Sequence, residues 1–287
     1  MPRTVKNWII IILFLLFVPF LADAGEKTDI TWLGQSGFRI ATPAGRVLLI
    51  DPWFTNAASS RGKEALEAHN RADLILLTHG HGDHVGNAVE IAKKTGARLV
   101  ASPELGRAMV KDNGFPEKQF GMETSLNFGG EITLLDGDVK VALVPAIHSS
   151  HIETDEGGQS GKSFNYAGEP GGFVISVKNG PNIYHTGDTD LFSDMALVTD
   201  FGKIDIMMLC IGDKFTMGPR RAAKAVRLVE PVMAIPMHYS PLPAGTRSAD
   251  QFIQETKNAV GRNIVTVMQP GETISWEYKP PIRKKAR

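Results

Sequence analysis

Short apolar runs separated by glycines dominate the chain from Asp29 onward. Runs of this kind, bounded by turn residues, are typical of β-strands. In the first half they predict strands at 30–33, 38–42, 47–50, 73–78 and 99–101. The run at 73–78 has no polar interruption before its end, which favours a strand buried on both faces. Apolar residues at helical spacing predict helices over 84–94 and 103–110.

The second half of the chain repeats this pattern. It predicts strands at 132–135, 139–144, 173–177, 182–185, 205–209, 232–235, 265–268 and 273–276, and helices over 220–229 and 249–260. Asp136-Gly137 and Asn179-Gly180 are typical of hairpin turns and join two pairs of these strands. Two groups of strands, each accompanied by helices, favour two sheets packed face to face with helices outside, because a single parallel sheet would need regular alternation.

One polar, glycine-rich stretch, from Glu153 to Glu169, is predicted as a long loop. Loops of that length in compact domains are usually functional or disordered. Two interpretations stay open, a mobile wall of a substrate pocket and a plain surface insertion.

The N-terminal segment, residues 1–24, has a different character. Arg3 and Lys6 precede an uncharged run from Trp8 to Leu21, and Ala22-Asp23-Ala24 closes the segment. This pattern predicts a secretory signal peptide cleaved after Ala24, which leaves residues 25–287 as one domain. The run is shorter than the roughly 20 residues that a spanning helix needs. We therefore expect export, to the periplasm or beyond, with an uncleaved membrane anchor as the alternative.

Composition and charge narrow the classes of function. The chain has 287 residues, of which 43% are hydrophobic and 22% charged, as in globular proteins. Its formal net charge of zero gives no argument for a nucleic-acid or other anionic partner, and the expected partner is a small-molecule substrate. Cys210 is the only cysteine, so no internal disulfide is expected, and its apolar neighbours predict a buried strand residue. No feature of the sequence favours one oligomeric state.

A dense group of metal-ligand residues follows the predicted strand 73–78. His79 and His81 are two residues apart, so on an extended segment both side chains point to one side. Asp83 and His84 come next, where the predicted helix begins. Four donors in six residues can serve two adjacent metal ions, and imidazole with carboxylate is typical of catalytic zinc, with iron or manganese as alternatives. The other interpretation, histidines that cap a helix and decorate a loop, does not account for this density.

The pattern His-x-His-x-Asp-His after a buried strand resembles the signature of the metallo-β-lactamase superfamily, and the resemblance extends over nearly all of residues 25–287. It implies an α/β fold, the four-layer αβ/βα sandwich of that superfamily. It also implies a ligand for each position of a two-metal centre. One ion would be held by His79, His81 and His148, the other by Asp83, His84 and His238, and Asp188 would bridge them.

Single ligands outside the dense group have alternatives. His151 competes with His148, which is favoured because it follows its strand more directly, as the family's third motif does. His151 is then expected to line the pocket or to orient a ligand. Asp188 could be a turn residue and His238 a helix cap, whereas His185 is expected to pack at a strand end.

A narrower resemblance rests on several phrases of the chain. They are Trp32–Gly37, Asp51-Pro52, 146–150, Gly187–Thr189, Ile211–Pro219 and Pro236–Tyr239. They look like those of the uncharacterised metal-dependent hydrolases of the superfamily, a set similar to ascorbate 6-phosphate lactonase and N-acylphosphatidylethanolamine phospholipase D. From these phrases we expect Asp51, Asp213 and Tyr239 to support the metals or line the pocket. A signal peptide is atypical of this set, which argues against intracellular sugar-phosphate lactones as substrates.

The resemblance indicates the type of reaction better than it indicates the substrate. Two ions about 3.5–4 Å apart can hold a water, lower its pKa to about 7 and aim the hydroxide at an electrophile. Asp83 and Asp188 are the expected catalytic residues. Hydrolysis of an ester, lactone or amide is favoured, and phosphodiester hydrolysis is the second hypothesis. A diiron oxidoreductase or a binding protein is the third, although the diiron branch carries glutamate where this chain has His81.

Overall fold

The computed structural model describes residues 27–56, 59, 61–155, 162–239 and 243–278. The predicted signal peptide and the basic residues at the C-terminus lie outside the described residues. Among the helices in the described ranges, none is both long enough and apolar enough to span a membrane.

Fourteen strands are present within the described residues, and they form two large sheets and one hairpin. The strands are β1 (Lys27–Gly34), β2 (Gly37–Ala41), β3 (Val47–Ile50), β4 (Leu74–Leu76), β5 (Arg98–Val100), β6 (Glu131–Leu134), β7 (Val139–Pro145), β8 (His151–Asp155), β9 (Lys162–Tyr166), β10 (Gly171–Val177), β11 (Asn182–His185), β12 (Ile206–Cys210), β13 (Met233–Met237) and β14 (Thr273–Glu277). The first sheet has the order β14-β1-β2-β3-β4-β5, the second has the order β13-β12-β11-β10-β7-β6, and β8 pairs with β9.

Helices cover the outer face of each sheet. They are α1 (Gly62–Ala68), α2 (Gly82–Val85), α3 (Ala88–Thr95), α4 (Pro103–Asn113), α5 (Pro219–Val229) and α6 (Pro243–Val260). Alternate residues of the first sheet face opposite sides: Ile50 and Leu76 join the core between the sheets, whereas Leu49 and Ile75 pack with α3 and α4. In the second sheet β12 contacts α5, which packs on α6, and both helices contribute to the core that this sheet shares with the first. The predicted four-layer αβ/βα sandwich is confirmed.

The predicted helix over 84–94 is wrong in one respect, because it is two helices. α2 ends at Val85, and Gly86 has φ 43° and ψ −118° before α3 begins at Ala88. A Cβ on Gly86 would lie 2.6 Å from the Pro52 carbonyl oxygen, so only glycine allows this close approach. The apolar spacing continues across the break, which is why periodicity alone did not show it.

Two other predictions need correction. The run at 265–268 is not a strand: Val265 forms a single bridge with Ala234, and no further ladder follows. The predicted loop from Glu153 to Glu169 is largely the β8–β9 hairpin, and its tip, 156–161, lies outside the described residues. The hairpin buries a single apolar residue, Ile152, while the aromatic residues of β9 are exposed, so neither strand contains the apolar run by which the other strands were predicted.

The topology brings several strand ends to one edge of the sandwich. β3 and β4 are parallel, and β11, β12 and β13 are parallel. β7 runs in the same direction as β11, since each is antiparallel to β10. The segments that follow β4, β7, β11 and β13 carry the predicted metal ligands and meet at one end of the sandwich, where Asp51 after β3 joins them.

Candidate metal centre

The first four ligands lie in the segment that runs from the end of β4 through α2. His79 is fully buried, and His81 is the residue before α2, with Asp83 and His84 inside its single turn. The backbone N–H of Gly80 donates to Ser150 Oγ at 3.1 Å. This contact ties the segment to the base of the β8–β9 hairpin.

The seven predicted ligands come together in three overlapping groups. In each group the donor atoms lie within 4.8 Å of one another, and the groups are His79/His81/His148, His79/His84/Asp188 and Asp83/His84/His238. Asp188 Oδ2 lies 3.0 Å from His238 Nε2, 3.3 Å from His84 Nε2 and 3.6 Å from His148 Nε2. A single carboxylate oxygen thus contacts imidazoles of both predicted ion positions, which is the arrangement that a bridging ligand requires.

The donor set fits metal ions better than it fits internal hydrogen bonding. Asp188 Oδ1 and His84 Nε2 are buried and have no hydrogen-bond partner among the described residues. Buried polar atoms without a partner are costly, and a bound cation would satisfy both. Five imidazoles and two carboxylates are donors that zinc, iron and manganese accept.

Asp51 fixes the orientation of His84. It follows β3 with a φ of 43°, is fully buried, and accepts from the Thr78 backbone N–H at 2.9 Å and the Thr78 hydroxyl at 2.7 Å. Its Oδ2 also accepts from His84 Nδ1 at 2.7 Å. Because Nδ1 carries the proton in this bond, Nε2 of His84 is directed to the metal position. The contact is of the kind by which a carboxylate orients a metal-binding histidine.

Gln35 was not among the predicted site residues, yet it contacts two ligands. Its amide nitrogen donates to Asp83 Oδ2 at 3.1 Å and lies 3.3 Å from His238 Nε2. The His238 backbone N–H donates to the Gln35 carbonyl at 3.1 Å. Gly34, with φ +92°, makes the turn that presents Gln35. The phrase Trp32–Gly37 was a signal for this residue, although its glycines gave no indication of which side chain mattered.

Without metal, the histidines of the site fall into two groups, those with a lowered pKa and those with a raised pKa. Burial lowers the pKa of His79 well below its usual range and that of His81 to about 4. Burial opposes the charge on His84 and His238 too, but the neighbouring carboxylates outweigh it and raise the pKa of His238 to about 9. Contacts with these two histidines hold the pKa values of Asp83 and Asp188 below the usual range, although burial opposes this. Cations can take the place of those protons.

The remaining predicted residues take different positions. The His151 ring lies 4.5 Å from the His81 ring and lines the cavity over the ligands. Tyr239 does not reach that cavity, because its ring stacks on Trp32 at 5.7 Å and lines a separate one. Asp213 is exposed in the turn between β12 and α5, with its carboxylate over Gly218, and is not among the residues that line the metal cavity.

Two further residues take the structural roles expected of them. His185 is buried, and its Nε2 hydrogen-bonds the Ser36 carbonyl at 2.9 Å rather than pointing to the ligands. Cys210 is fully buried in β12, where burial raises the pKa of its thiol to about 12. A thiol of that pKa is protonated at neutral pH and does not act as a nucleophile.

The cavity over the ligands has a volume of about 710 Å³. Besides metal ligands and glycines, the described residues that line it are Val85, Asn113, Ser149, His151, Ile152, Glu153 and Phe215. The described part of its wall is therefore apolar in part and includes neither arginine nor lysine.

Comparisons with known proteins agree with this fold. A family model described as the β-lactamase superfamily domain matches residues 46–239. A UPF0173 metal-dependent hydrolase from Thermodesulfovibrio yellowstonii is 54% identical over 267 residues, covering 93% of this chain and 99% of that protein. One from Archaeoglobus fulgidus is 39% identical, covering 87% and 98%.

Solved structures show the same fold. Igni18, described as a novel metallo hydrolase from Ignicoccus hospitalis, is 33% identical with a TM-score of 0.73, covering 88% of this chain and all of that one. An isothiocyanate hydrolase from Delia radicum gut bacteria has a TM-score of 0.61 at 18% identity, covering 86% and 98%, and shows the likeness of fold alone.

Proposed function

Because this chain belongs to the metallo-β-lactamase superfamily and is a metal-dependent hydrolase, we propose that it binds two divalent metal ions and hydrolyses an ester, lactone or amide bond of a small molecule. The observation that carries the proposal is the position of Asp188 Oδ2, which lies 3.0–3.6 Å from three imidazoles of both ligand groups. We propose zinc as the ion, since five of the seven donors are imidazoles, with manganese or iron as alternatives.

The roles of the residues follow from their contacts. Bound ions would supply a water of lowered pKa and would polarise the substrate's oxygen. Asp188, only 3% exposed, would hold both ligand groups together. Asp83 is 31% exposed and lines the cavity, so it can accept a proton from a water there while Gln35 fixes one of its oxygens. Asp51 would keep His84 in the metal-binding tautomer.

The lining of the cavity favours a carbonyl substrate over a phosphodiester. Among the described residues that line the cavity, Asn113 and Ser149 are neutral, and none is an arginine or a lysine. Sites for transferring phosphoryl groups usually add arginine or lysine to the metals, to stabilise the charge on the equatorial oxygens. A neutral ester, lactone or amide needs no such partner.

We also propose that the enzyme is exported. The proposal is supported by the basic, apolar and small-residue order that ends at Ala22-Asp23-Ala24. Protein recovered from its native host should begin at or near Gly25. An intact Met1 on soluble cytoplasmic protein would contradict export, and an intact Met1 on membrane-bound protein would favour the anchor instead.

The catalytic proposal is tested with metal content and a substrate panel. Purified protein should bind two ions per chain by elemental analysis. With zinc, manganese or iron supplied, it should hydrolyse members of an ester and lactone panel faster than phosphodiesters or cephalosporins. Asp188→Ala should lose at least one ion and more than about 100-fold in turnover, beyond the 10–100-fold typical of residues that only orient ligands. Near-native metal content and rate in this variant would refute the bridging role.

A further inference from the structure

Exposed aromatic side chains are concentrated beside the metal cavity. Among the described residues the exposed large aromatics are Phe164, Tyr166 and Phe215, with 62%, 64% and 70% of their surface accessible. Phe215 lines the cavity, and Phe164 and Tyr166 belong to the hairpin whose first strand lines it. Clustered exposed apolar groups at the rim of a pocket mark binding surfaces, whereas scattered ones do not.

The aromatic residues of the hairpin lie on one of its faces. In the β8–β9 register His151 is opposite Tyr166, and Glu153 is opposite Phe164. Residues opposite each other share a face of the hairpin, and His151 and Glu153 both line the cavity. Phe164 also packs on the His151 ring at 4.8 Å. Phe164 and Tyr166 therefore share the hairpin face of His151, and the Phe164 ring lies against a residue that lines the cavity.

The hairpin is fixed at its base. Ile152, only 2% exposed, is buried in the core under α3 and α4. Ser150 Oγ donates to the Ala167 carbonyl at 3.2 Å and accepts from the Gly80 N–H at 3.1 Å. These contacts hold the base of the hairpin, which carries Phe164, against the segment that contains the first four ligands.

A second anchored element presents Phe215 at the cavity. The turn from Gly212 to Gly218 is closed by a bond from the Gly212 N–H to Thr216 Oγ1 at 3.0 Å and by one from the Asp213 N–H to the Met217 carbonyl at 3.2 Å. The Met217 N–H donates to the carbonyl of Thr189, next to the ligand Asp188, at 3.0 Å. Phe215 is thus held in place although its side chain is exposed.

We propose that Phe164 and Phe215 determine specificity by binding an apolar group, an acyl chain or aryl ring, attached to the scissile carbonyl. The inference rests on the proposed function, because it places that carbonyl at the ligands. A substrate with no apolar group would leave the exposed surface of both side chains in contact with water. Each methylene buried against such rings should tighten binding by about two- to fourfold.

The experiment measures binding rather than turnover. Straight-chain carboxylates from acetate to octanoate, which represent the acid product, are titrated calorimetrically into the zinc-loaded protein. We expect Kd to fall by about two- to fourfold for each added methylene. The dependence on chain length should flatten in Phe164→Ala and Phe215→Ala, and most in the double variant. Leu197→Ala is the matched control, since Leu197 is 59% exposed and does not line the cavity, and it should keep the wild-type dependence.

The outcomes separate this inference from the proposed function. A flat series in the wild type, no detectable carboxylate binding, or a double variant with the wild-type dependence would each overturn the specificity role. If the series shows the expected dependence but no ester or lactone is hydrolysed, the apolar site stands and the assignment of the reaction fails. Because both aromatic residues are exposed, circular dichroism should show folded variants.

Discussion

Replacing Asp51 with asparagine tests how the protein prepares a metal ligand. The carboxylate accepts three hydrogen bonds, two from Thr78 and one from His84 Nδ1. An asparagine oxygen that keeps the bond from the Thr78 N–H places its NH₂ group against the Thr78 hydroxyl and His84 Nδ1. The NH₂ group then donates to Nδ1, so that a neutral His84 carries its proton on Nε2, where the metal must bind. If the amide flips, its NH₂ group faces the Thr78 N–H, and two donors then meet without an acceptor.

The expected magnitude follows from this conflict. Loss of a group that orients a metal-bound histidine typically lowers metal affinity by about 10–100-fold, or about 1.4–2.8 kcal/mol. Loss of a buried hydrogen bond to a charged group also lowers the free energy of unfolding by about 1.5–3 kcal/mol. Metal affinity is measured by competition with a chromogenic chelator, and stability by chemical denaturation of the metal-free protein.

Asp138→Asn is the matched control for Asp51→Asn. Asp138 is also buried, at 8% exposure, and accepts from the Thr42 hydroxyl at 2.6 Å. It lies at the other end of the first sheet, because Thr42 pairs with Arg46 before β3 begins, whereas Asp51 follows the end of β3. The control should lose stability but keep metal affinity. If Asp51→Asn binds both ions within twofold of the wild-type affinity, the tautomer argument is wrong.

Three further changes test other parts of the site. Cys210→Ser should change turnover by less than about threefold, since the buried thiol is protonated at neutral pH, and a dead variant with full metal content would point to thiol catalysis. Gly80→Ala should lose metal and about 1–3 kcal/mol of stability, because its Cβ would lie 2.7 Å from Ala167 Cβ, whereas Gly82→Ala, with open space, should not; equal losses would refute this. The pKa of His238 is raised from 6.5 to about 9 in the metal-free protein, so its contribution to stability is full below pH 6.5 and is lost as pH rises through 9. The melting temperature of chelator-treated protein should fall over that window, and a flat or rising value would contradict the charge assignment.

The ligands were predictable because their determinants are local. His79, His81, Asp83 and His84 occupy one short segment, and the other three each follow a strand end within a few residues. Parallel strands bring such ends to one edge whatever the details of packing. The structure accordingly brings all seven predicted donors together.

Residues that depend on long-range packing could not be predicted from local patterns. Gln35 reaches Asp83 across 48 positions of the chain, and its role is visible only when the sheets are assembled. Tyr239 adjoins a ligand in sequence, but the His238 backbone is left-handed, with φ 54°, and the Tyr239 ring stacks on Trp32 instead. The break at Gly86 arises from the approach of Pro52, more than 30 positions away in the chain.

Different elements of the fold carry the metal donors and the proposed substrate contacts. The type of reaction is therefore easier to predict from the sequence than the substrate is. Four ligands come from the end of β4 in the first sheet and three from β7, β11 and β13 in the second, so bound ions would join the two halves of the sandwich. Ions that bind only when both halves are in place stabilise the folded protein by mass action. Loss of a ligand would therefore reduce both catalysis and the stability of the folded protein. The β8–β9 hairpin and the 212–218 turn carry none of the seven donors, so their exposed side chains can change without loss of the metal-binding residues. Substrate preference is consequently to be sought in Phe164 and Phe215 rather than in the metal-binding motif.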